Sequence, residues 1–247
     1  MRKPRLFCAD AISPMYQCTN IKQIHHLSKV LRVKTGSVLE LFDGRGALAH
    51  GEVQNVSRNI INIEISYRTQ ITNPYAKKYH AILPYIKKDN LLLAVQKLVE
   101  LGVNSLILFK PELIDQSLIK KDLTKLHEKI EDAVIYACEQ SGCNFLPKIE
   151  YMESLPDAID FFVSEFDSSE LFVLDTITDK LTNQVSKQEA MEVGFITGPE
   201  TGFSDSERLA MDKHNFKRLI LSHYVLRAET APLASLAKLH DLFGEFA

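Results

Sequence analysis

Apolar and polar side chains alternate over much of residues 36–68, as they do in strands with one buried face. The stretches SVLELFDG and INIEISYR carry this alternation, and DGRG at 43–46 between them has the composition of a turn. The preceding TNIKQIHHLSKVLRV instead spaces its apolar residues as a helix does, with Thr19 or Asn20 as the expected cap. Short strands and one helix predict a small β-barrel over residues 1–70.

The pattern changes after residues 71–78, a polar segment with Pro74 that we interpret as a linker. Short apolar runs then alternate with stretches of helical spacing, which predicts an α/β domain with a mainly parallel sheet over residues 79–247. One helix is expected to open at a capping box, Ser204 to Glu207. The predicted strands are YHAILPYI, SLILFK, LFVLD, VGFIT and FKRLILS, and the other predicted helices are DNLLLAVQKLVELGV, TKLHEKIEDAVIYACEQ and AETAPLASLAKLHDLF.

The composition is that of a soluble globular protein, with 45% hydrophobic and 25% charged residues. No apolar stretch is long enough to span a bilayer, and MRKPRLFCAD at the start lacks the apolar core of a secretory signal. The four cysteines, at positions 8, 18, 138 and 143, form no CxxC pair. These features argue against a disulfide framework and favour a reducing cytoplasm.

The net charge of −3 conceals an uneven distribution. Residues 1–70 hold ten Lys or Arg and five Asp or Glu, whereas residues 71–247 hold nineteen and twenty-seven. A basic N-terminal module on an acidic body suggests that the module meets a polyanion. Chance unevenness of surface charge explains the charges alone equally well.

Candidate chemistry concentrates in two loops that follow predicted strands, where ligands bind in open α/β sheets. The glycines of GPETGFSDSE, residues 198–207, suggest a phosphate cradle, but no Lys follows Gly202 as a P-loop requires. The loop also lies too late in the chain for a Rossmann fingerprint, and Glu200 would place a negative charge beside a phosphate. A neutral or cationic ligand fits better, with an ordinary strand-to-helix turn as the alternative.

The second loop, LSHYVLRAETAP at residues 221–232, carries Arg227 and Glu229. These side chains are close enough in sequence to pair with each other, which is the interpretation that the residues alone favour. Their functional alternative is that the guanidinium anchors a nucleic-acid phosphate while the carboxylate handles a proton.

Taken together, the two loops resemble the paired signature of the small-subunit ribosomal RNA uridine-N3 methyltransferases, which read roughly GPEGG(F/L)SxxE and LGxR(I/V)LRxETA. The similarity continues in HHLSKVLRVKTG and LFDGRG within residues 25–46, in QKLVELGV at 96–103 and in ACEQSG at 137–142. Several matches in the same order cover nearly the whole chain.

The resemblance implies a fold and an activity. The fold is an N-terminal PUA-like β-barrel followed by a SPOUT-type α/β methyltransferase domain with a C-terminal trefoil knot, a topology that composition could not suggest. The cofactor is S-adenosyl-L-methionine, and the enzyme acts as a homodimer. The substrate is a uridine of the small-subunit (16S) ribosomal RNA, methylated at N3 within the assembled 30S subunit.

The resemblance also implies site residues. Arg227 would orient the uracil or stabilise its anion, and Glu229 would act as the base or orient Arg227. No metal is needed, because transfer from a sulfonium is a direct displacement that depends on alignment. The residues expected to frame the cofactor are Leu174, Thr197, Gly198, Pro199, Glu200, Gly202, Leu221, Ser222, Val225, Leu226 and Thr230.

On the RNA side, the resemblance and the basic N-terminal module point to residues that would contact phosphates or position the substrate. Solvated surface charge is the alternative for the cations among them, and capping a carbonyl is the alternative for Gln140. The adjacent pair His25-His26 is not expected to bind metal, because neighbours in sequence do not share a helix face. The expected RNA-binding residues are Arg2, Arg5, His26, Lys29, Arg32, Lys34 and Gln140.

The chain departs from the family pattern within its functional loops. Thr201 stands where the family usually has glycine, and a β-branched residue would be strained at a positive φ. Arginines of the family pattern are replaced by Tyr224, Cys143 and Gln116, and a common threonine by Ala228. Losing three guanidinium groups would weaken phosphate or uracil contacts.

Two classes of function therefore remain. The first is an active methyltransferase, on the usual uridine or on a different RNA uridine. The second is a weakened or inactive relative that keeps the fold and serves as an RNA-binding or ribosome-assembly protein. The retained Gly198-Pro199-Glu200 and Leu226-Arg227 favour the enzyme.

Overall fold

The computed structural model describes residues 3–113, 123–166, 169–174, 190–214 and 216–245. The chain divides into two compact units. The first consists of Met1–Pro74 with Ile135–Leu146, and the second of Tyr75–Val134 with Pro147–Ala247. A short segment from the middle of the sequence thus belongs to the N-terminal unit, which hydrophobic periodicity alone did not predict.

A five-stranded sheet forms the first unit, in the order β1-β3-β4-β5-β2. Strands β1 and β3 are parallel, and the other neighbours are antiparallel. The predicted alternation places Leu39, Leu41, Ile61 and Ile63 in the core. The strands are Arg5–Phe7 (β1), Met15–Cys18 (β2), Val38–Phe42 (β3), Ala47–Val56 (β4) and Ile61–Gln70 (β5).

The predicted N-terminal helix has two parts. Helix α1 spans Ile21–His25, and the Asn20 side chain caps it by accepting from two backbone N–H groups. A π-helical turn, His26–Val30, follows and keeps Leu27 buried. After it, Arg32 adopts a φ of 54°, the one positive φ outside glycine among the described residues. A long side chain in this left-handed region is uncommon and often accompanies a functional constraint.

The end of a long helix, α3 (Thr124–Ser141), and the loop after it complete the first unit. Gly142 ends the helix with a φ of 89°, and Asn144 and Leu146 then form backbone hydrogen bonds with the 43–46 turn. The Arg5 guanidinium lies inside this loop. Arg5 donates to the Cys138 carbonyl at 3.3 Å, to the Cys143 carbonyl at 3.4 Å and to Asn144 Oδ1 at 2.6 Å.

This placement corrects the prediction that Arg5 contacts RNA. The residue is only 4% exposed, and its guanidinium lies over the Phe42 ring at 4.4 Å. The basic N-terminal composition could not distinguish this buried cation from those on the surface. We conclude that Arg5 stabilises the packing of residues 138–144 on β1.

A six-stranded, wholly parallel sheet forms the second unit, in the order β11-β9-β10-β6-β7-β8. Its buried apolar strands confirm the predicted α/β class. Strand β8 was not predicted from the sequence, and the strand predicted at FKRLILS is longer than the three residues of β11. The strands are Lys78–Pro84 (β6), Ser105–Phe109 (β7), Lys148–Met152 (β8), Ser169–Leu174 (β9), Glu192–Ile196 (β10) and Lys217–Leu219 (β11).

The helices of this unit follow the strands in chain order. The Ser204–Glu207 capping box that opens α5 is present with both of its reciprocal hydrogen bonds, as predicted. Among the described helices, none has the length and apolarity that crossing a membrane requires. Besides α3, the helices are Lys88–Glu100 (α2), Leu155–Glu165 (α4), Asp205–Lys213 (α5) and Thr230–Phe243 (α6).

The strand order changes direction beside β6. Successive strands β6, β7 and β8 run to one side, and β10, β9 and β11 lie on the other. In open parallel sheets, ligands bind beyond the carboxyl ends of the strands at such a point. Since β11, β9, β10 and β6 are consecutive in the parallel sheet, their carboxyl ends lie side by side at one edge.

Candidate functional site

A cavity of about 760 Å³ lies at that edge of the parallel sheet. Its size is in the range of small-molecule and cofactor sites. Each of the four strands β6, β10, β9 and β11 contributes from its carboxyl end. The lining comprises Lys87, Asn90, Leu174, residues 198–203, Arg208, residues 219–229 and Ala231.

The 198–203 loop forms one wall through its backbone. A Cβ added at Gly198 would meet the Phe203 ring at 3.2 Å, so a side chain there would displace that ring. Gly202 has a φ of 76°, which glycine adopts without strain. The loop thus turns tightly and presents backbone groups to the cavity.

Thr201 is accommodated in this loop without the strain that a positive φ would cause. The positive φ falls on Gly202 instead, so the β-branched residue keeps an ordinary backbone conformation. The Thr201 hydroxyl donates to the carbonyl oxygen of Leu113 at 2.8 Å. A glycine here could not make this bond, so the departure from the family pattern adds a side-chain anchor.

Carboxylates fix the end of the same loop. Glu207 is buried, and its two oxygens accept from the backbone N–H groups of Ser204 at 2.8 Å and Glu112 at 3.1 Å. The Glu112 carboxylate in turn accepts from the hydroxyls of Ser204 and Ser206, which lowers the pKa of Glu112. The cavity loop is therefore connected to residues 112–113 by several hydrogen bonds.

The 222–229 loop forms the opposite wall and carries the predicted catalytic pair. Arg227 Nη1 lies 3.9 Å from Glu229 Oε1, and the Arg227 side chain is 86% exposed while that of Glu229 is 12% exposed. An ion pair so long and so exposed on one side contributes little to stability. The guanidinium is thus presented to the solvent side of the cavity, with the carboxylate beneath it.

Two apolar side chains of this loop are unusually accessible. Tyr224 is 83% exposed and Val225 is 80% exposed, although both border the cavity. Large apolar side chains at the mouth of a cavity are typical of a surface that another molecule covers.

Nine of the eleven residues expected to frame the cofactor line the cavity, and both predicted catalytic residues do so. Thr197 and Thr230 do not. Thr197 is buried directly behind Gly198, and its hydroxyl oxygen has no hydrogen-bond partner among the described atoms. Thr230 opens helix α6, where its N–H donates to the Arg227 carbonyl at 2.9 Å. The nine are Leu174, Gly198, Pro199, Glu200, Gly202, Leu221, Ser222, Val225 and Leu226.

Several lining residues were not predicted from the sequence. Lys87 and Asn90 follow β6, the strand beside which the strand order changes direction. Because ligands bind at the carboxyl ends of strands at such a point, the position of these residues could have indicated them. Arg208 lies within α5, where its guanidinium is 5.9 Å from the centre of the Phe203 ring. An arginine inside a helix belongs to no recognisable sequence motif, so the sequence did not indicate that Arg208 lines the cavity.

The remaining predicted RNA-binding residues belong to the first unit. Lys29, Arg32, Lys34 and Gln140 are exposed. His26 is partly buried, with its ring centre 5.6 Å from that of Tyr136. Arg2, like the departure at Gln116, lies outside the described residues. No group of three or more His, Cys, Asp or Glu side chains within the described ranges is arranged to hold a metal ion.

Solved structures of similar fold cover the whole chain. A methyltransferase from Legionella pneumophila, in complex with the bound cofactor S-adenosylmethionine, is 26% identical, with a TM-score of 0.85 over 98% of each chain. The ribosomal RNA small subunit methyltransferase E from Neisseria gonorrhoeae, bound to S-adenosylmethionine, has a TM-score of 0.88 over the full length of both chains at 24% identity. These likenesses confirm the predicted SPOUT methyltransferase fold.

Two relatives that match most of this chain share one name. Relatives from Rickettsia conorii and from Buchnera aphidicola of Schizaphis graminum are both named ribosomal RNA small subunit methyltransferase E. The first is 27% identical over 89% of this chain and 86% of its own, and the second is 29% identical over 90% and 88%.

Family models match both parts of the chain. The RNA methyltransferase PUA domain matches residues 19–66, and the RNA methyltransferase domain matches residues 73–240, which include every residue that lines the cavity. The chain therefore belongs to the RNA methyltransferase family whose members carry this PUA domain.

Proposed function

We propose that this protein is an S-adenosylmethionine-dependent methyltransferase that modifies N3 of a uridine in small-subunit ribosomal RNA. The observation that carries the proposal is the cavity at the carboxyl edge of the parallel sheet, which joins the GPET loop to the loop bearing Arg227 and Glu229. Relatives of similar length named for methylation of small-subunit ribosomal RNA support the substrate class.

The lining of the cavity fits S-adenosylmethionine better than a phosphate ligand. The backbone around Gly198 and Gly202, with Leu221, Val225 and Leu226, offers neutral and apolar surface suited to adenine. Glu200 and Glu229 would attract the cationic sulfonium, and the cations Lys87, Arg208 and Arg227, which also line the cavity, would suit the carboxylate of the cofactor.

The polar residues of the second loop suit deprotonation of uracil. S-adenosylmethionine supplies a methyl group bonded to a sulfonium, and the nitrogen that accepts it must first lose its proton. Arg227 would orient the base and stabilise the negative charge that develops on its oxygens. Glu229, beneath the guanidinium, would accept the N3 proton on a carboxylate oxygen.

The first unit supplies the surface for RNA. Its exposed cations Lys29, Arg32 and Lys34 follow one another around the π-helical turn, where they would bind phosphates and position the substrate. The family matches support domains of 1–70 for RNA binding and 79–247 for methyl transfer, joined by residues 71–78.

Further parts of the proposal concern assembly and location. A homodimer would cover Tyr224 and Val225 at the mouth of the cavity, and the C-terminal domain would contain a trefoil knot. The reaction would take place in the cytoplasm, where ribosomal RNA is found and the free thiols of the four cysteines remain reduced.

Two measurements test the proposal. Calorimetric titration with S-adenosylmethionine should show binding to the full-length protein, and Gly198→Leu should abolish it because the side chain would displace Phe203. Mass mapping of small-subunit RNA from a deletion strain should show loss of one N3-methyluridine, restored by the wild-type gene.

The alternative is a non-catalytic RNA-binding relative, which the same experiments distinguish. Absence of binding at millimolar cofactor would support that alternative. Cofactor binding with no missing methyl group in the deletion strain would instead show that the enzyme acts on a different RNA.

A further inference from the structure

Two of the four cysteines meet where helix α3 ends, far along the sequence from the catalytic loops. Cys138 lies in the last turn, and Cys143 is the first residue after the terminating Gly142. The Gly142 N–H donates to the Cys138 carbonyl at 3.0 Å. This type of helix end turns the chain back, so that the residue after the glycine packs against the one a turn earlier.

Both sulfur atoms of this thiol pair approach the same atom. Cys143 Sγ lies 3.1 Å and Cys138 Sγ lies 3.8 Å from the carbonyl oxygen of Phe145. Because both thiols contact one oxygen atom, they are neighbours at the end of the helix. Since neighbouring sulfurs need only small side-chain rotations to bond, the cap geometry brings them into position for a disulfide.

The surroundings favour the thiolate at Cys143. The neighbouring Cys138 thiol lowers the pKa of Cys143 and the charge of Arg5 lowers it further, and together with the Phe145 backbone they outweigh burial, which raises it. Arg5 is held there by its bonds to the carbonyls of both cysteines. By contrast, burial raises the pKa of Cys8 to about 12 and also raises that of Cys18. Cys143 is half-buried, and the other three cysteines are buried.

We propose that Cys143 and Cys138 form a peroxide-oxidised thiol pair, with Cys143 as the attacking thiolate and Cys138 as the resolving thiol. Cys143 Sγ attacks one oxygen of a hydroperoxide, the O–O bond breaks, and the departing oxygen takes a proton to leave as water or an alcohol. The Cys138 sulfur then attacks Cys143 Sγ and releases water. Two thiols are oxidised to one disulfide as one peroxide is reduced.

This modification site is independent of the proposed methyl transfer. It uses no residue of the cavity, and the family pattern places arginine rather than cysteine at position 143. The pair is thus a property of this chain. Its oxidation would also remove both thiols from the Phe145 carbonyl and displace the carbonyls that hold Arg5.

Peptide mapping of the full-length protein after limited treatment with hydrogen peroxide tests the proposal. Trypsin releases residues 130–148 as one peptide that contains both cysteines. We expect this peptide to become lighter by two hydrogen atoms, while the thiols of Cys8 and Cys18 remain alkylatable. Iodoacetamide should modify Cys143 roughly tenfold faster than Cys8 or Cys18 in the native protein, and this difference should disappear in urea.

Matched variants separate the two roles. Cys138→Ser should leave a sulfenic acid on Cys143 that dimedone traps, whereas Cys143→Ser should leave Cys138 unreactive. Cys18→Ser, a control at a buried thiol, should still form the disulfide. The proposal is overturned if Cys8 or Cys18 reacts first, or if peptide 130–148 acquires oxygen without ever forming the bond.

Discussion

At the scale of single residues, Thr201 shows how a small side chain can anchor a binding loop. Its hydroxyl bonds the Leu113 carbonyl, and the adjacent Gly202 takes the positive φ that the turn requires. The anchoring bond lies at the surface, so its effect should appear in the order of the loop more than in global stability.

Removing this hydroxyl should weaken cofactor binding. Thr201→Val keeps the shape but loses the bond to Leu113, and we expect the dissociation constant for S-adenosylmethionine to rise by about fivefold, in line with roughly 1 kcal/mol for one hydrogen bond. Calorimetric titration measures this change. Thr201→Ser keeps the hydroxyl and should bind nearly as the wild type does, and equal losses in both variants would exclude the hydroxyl as the cause.

The guanidinium of Arg227 should matter for turnover and not for cofactor binding. We expect Arg227→Ala to reduce kcat by about 10²- to 10³-fold, the usual effect of removing a group that stabilises developing charge. Affinity for S-adenosylmethionine should remain nearly unchanged. Arg227→Lys keeps the charge but loses the planar guanidinium, so its kcat should lie between that of the wild type and that of Arg227→Ala. A large loss of cofactor affinity with retained turnover would contradict this role.

Sequence indicated these residues unevenly. The glycines and the Arg227–Glu229 pair lie in motifs next to strands, so their grouping in one cavity follows from the topology of a parallel sheet. Arg208 could not be predicted, because its contribution depends on how α5 is oriented. The burial of Arg5 depends on residues 138–144, more than 130 positions away, which local patterns cannot reveal.

At the scale of elements, long periodic segments were predicted and short or irregular ones were not. Helix α2 and strand β7 follow directly from their spacing and apolar runs. Strand β8 is half-buried rather than continuously apolar, and β11 has only three residues. The π-helical turn was predicted as ordinary helix, because its apolar residues keep helical spacing while its backbone bonds widen.

The capping box of α5 connects an element to the cavity. Because Glu207 is buried and accepts two backbone N–H groups, Glu207→Ala should lower the free energy of unfolding by about 2 kcal/mol. Urea unfolding measures this loss. Asp205→Ala, an exposed change in the same helical turn, serves as the control and should cost only a few tenths of a kcal/mol. If both variants lost similar free energy of unfolding, the two hydrogen bonds accepted by Glu207 would not be what holds the loop.

At the scale of the whole molecule, a partly buried carboxyl group couples stability to pH. Burial raises the pKa of Glu139 to about 7, against the opposing effects of the Phe7 N–H and the Arg5 charge. In the unfolded chain a glutamate has a pKa of about 4.3, so the folded state retains the proton more strongly. Glu139 therefore contributes stability at acidic pH that is lost as the pH rises from about 4.3 through 7.

Glu139→Gln should remove this dependence. We expect the urea midpoint of the variant to change less between pH 5 and pH 8 than that of the wild type, because the amide does not ionise. Glu128→Gln, an exposed change in the same helix, should leave the wild-type slope intact. An unaltered slope in Glu139→Gln would assign the pH dependence to another group.

The central strand of the parallel sheet contains one further connection. His80, buried in β6, bonds Ser105 of β7 at 2.6 Å through Nδ1 and Glu192 of β10 at 2.7 Å through Nε2. Burial lowers the pKa of His80, so its neutral ring accepts from the serine and donates to the carboxylate. A change at any one position leaves a buried polar atom unpaired in a neighbouring strand. In the evolution of this family, the three positions are therefore expected to covary, so that a substitution at one is tolerated only with compensation at the other two.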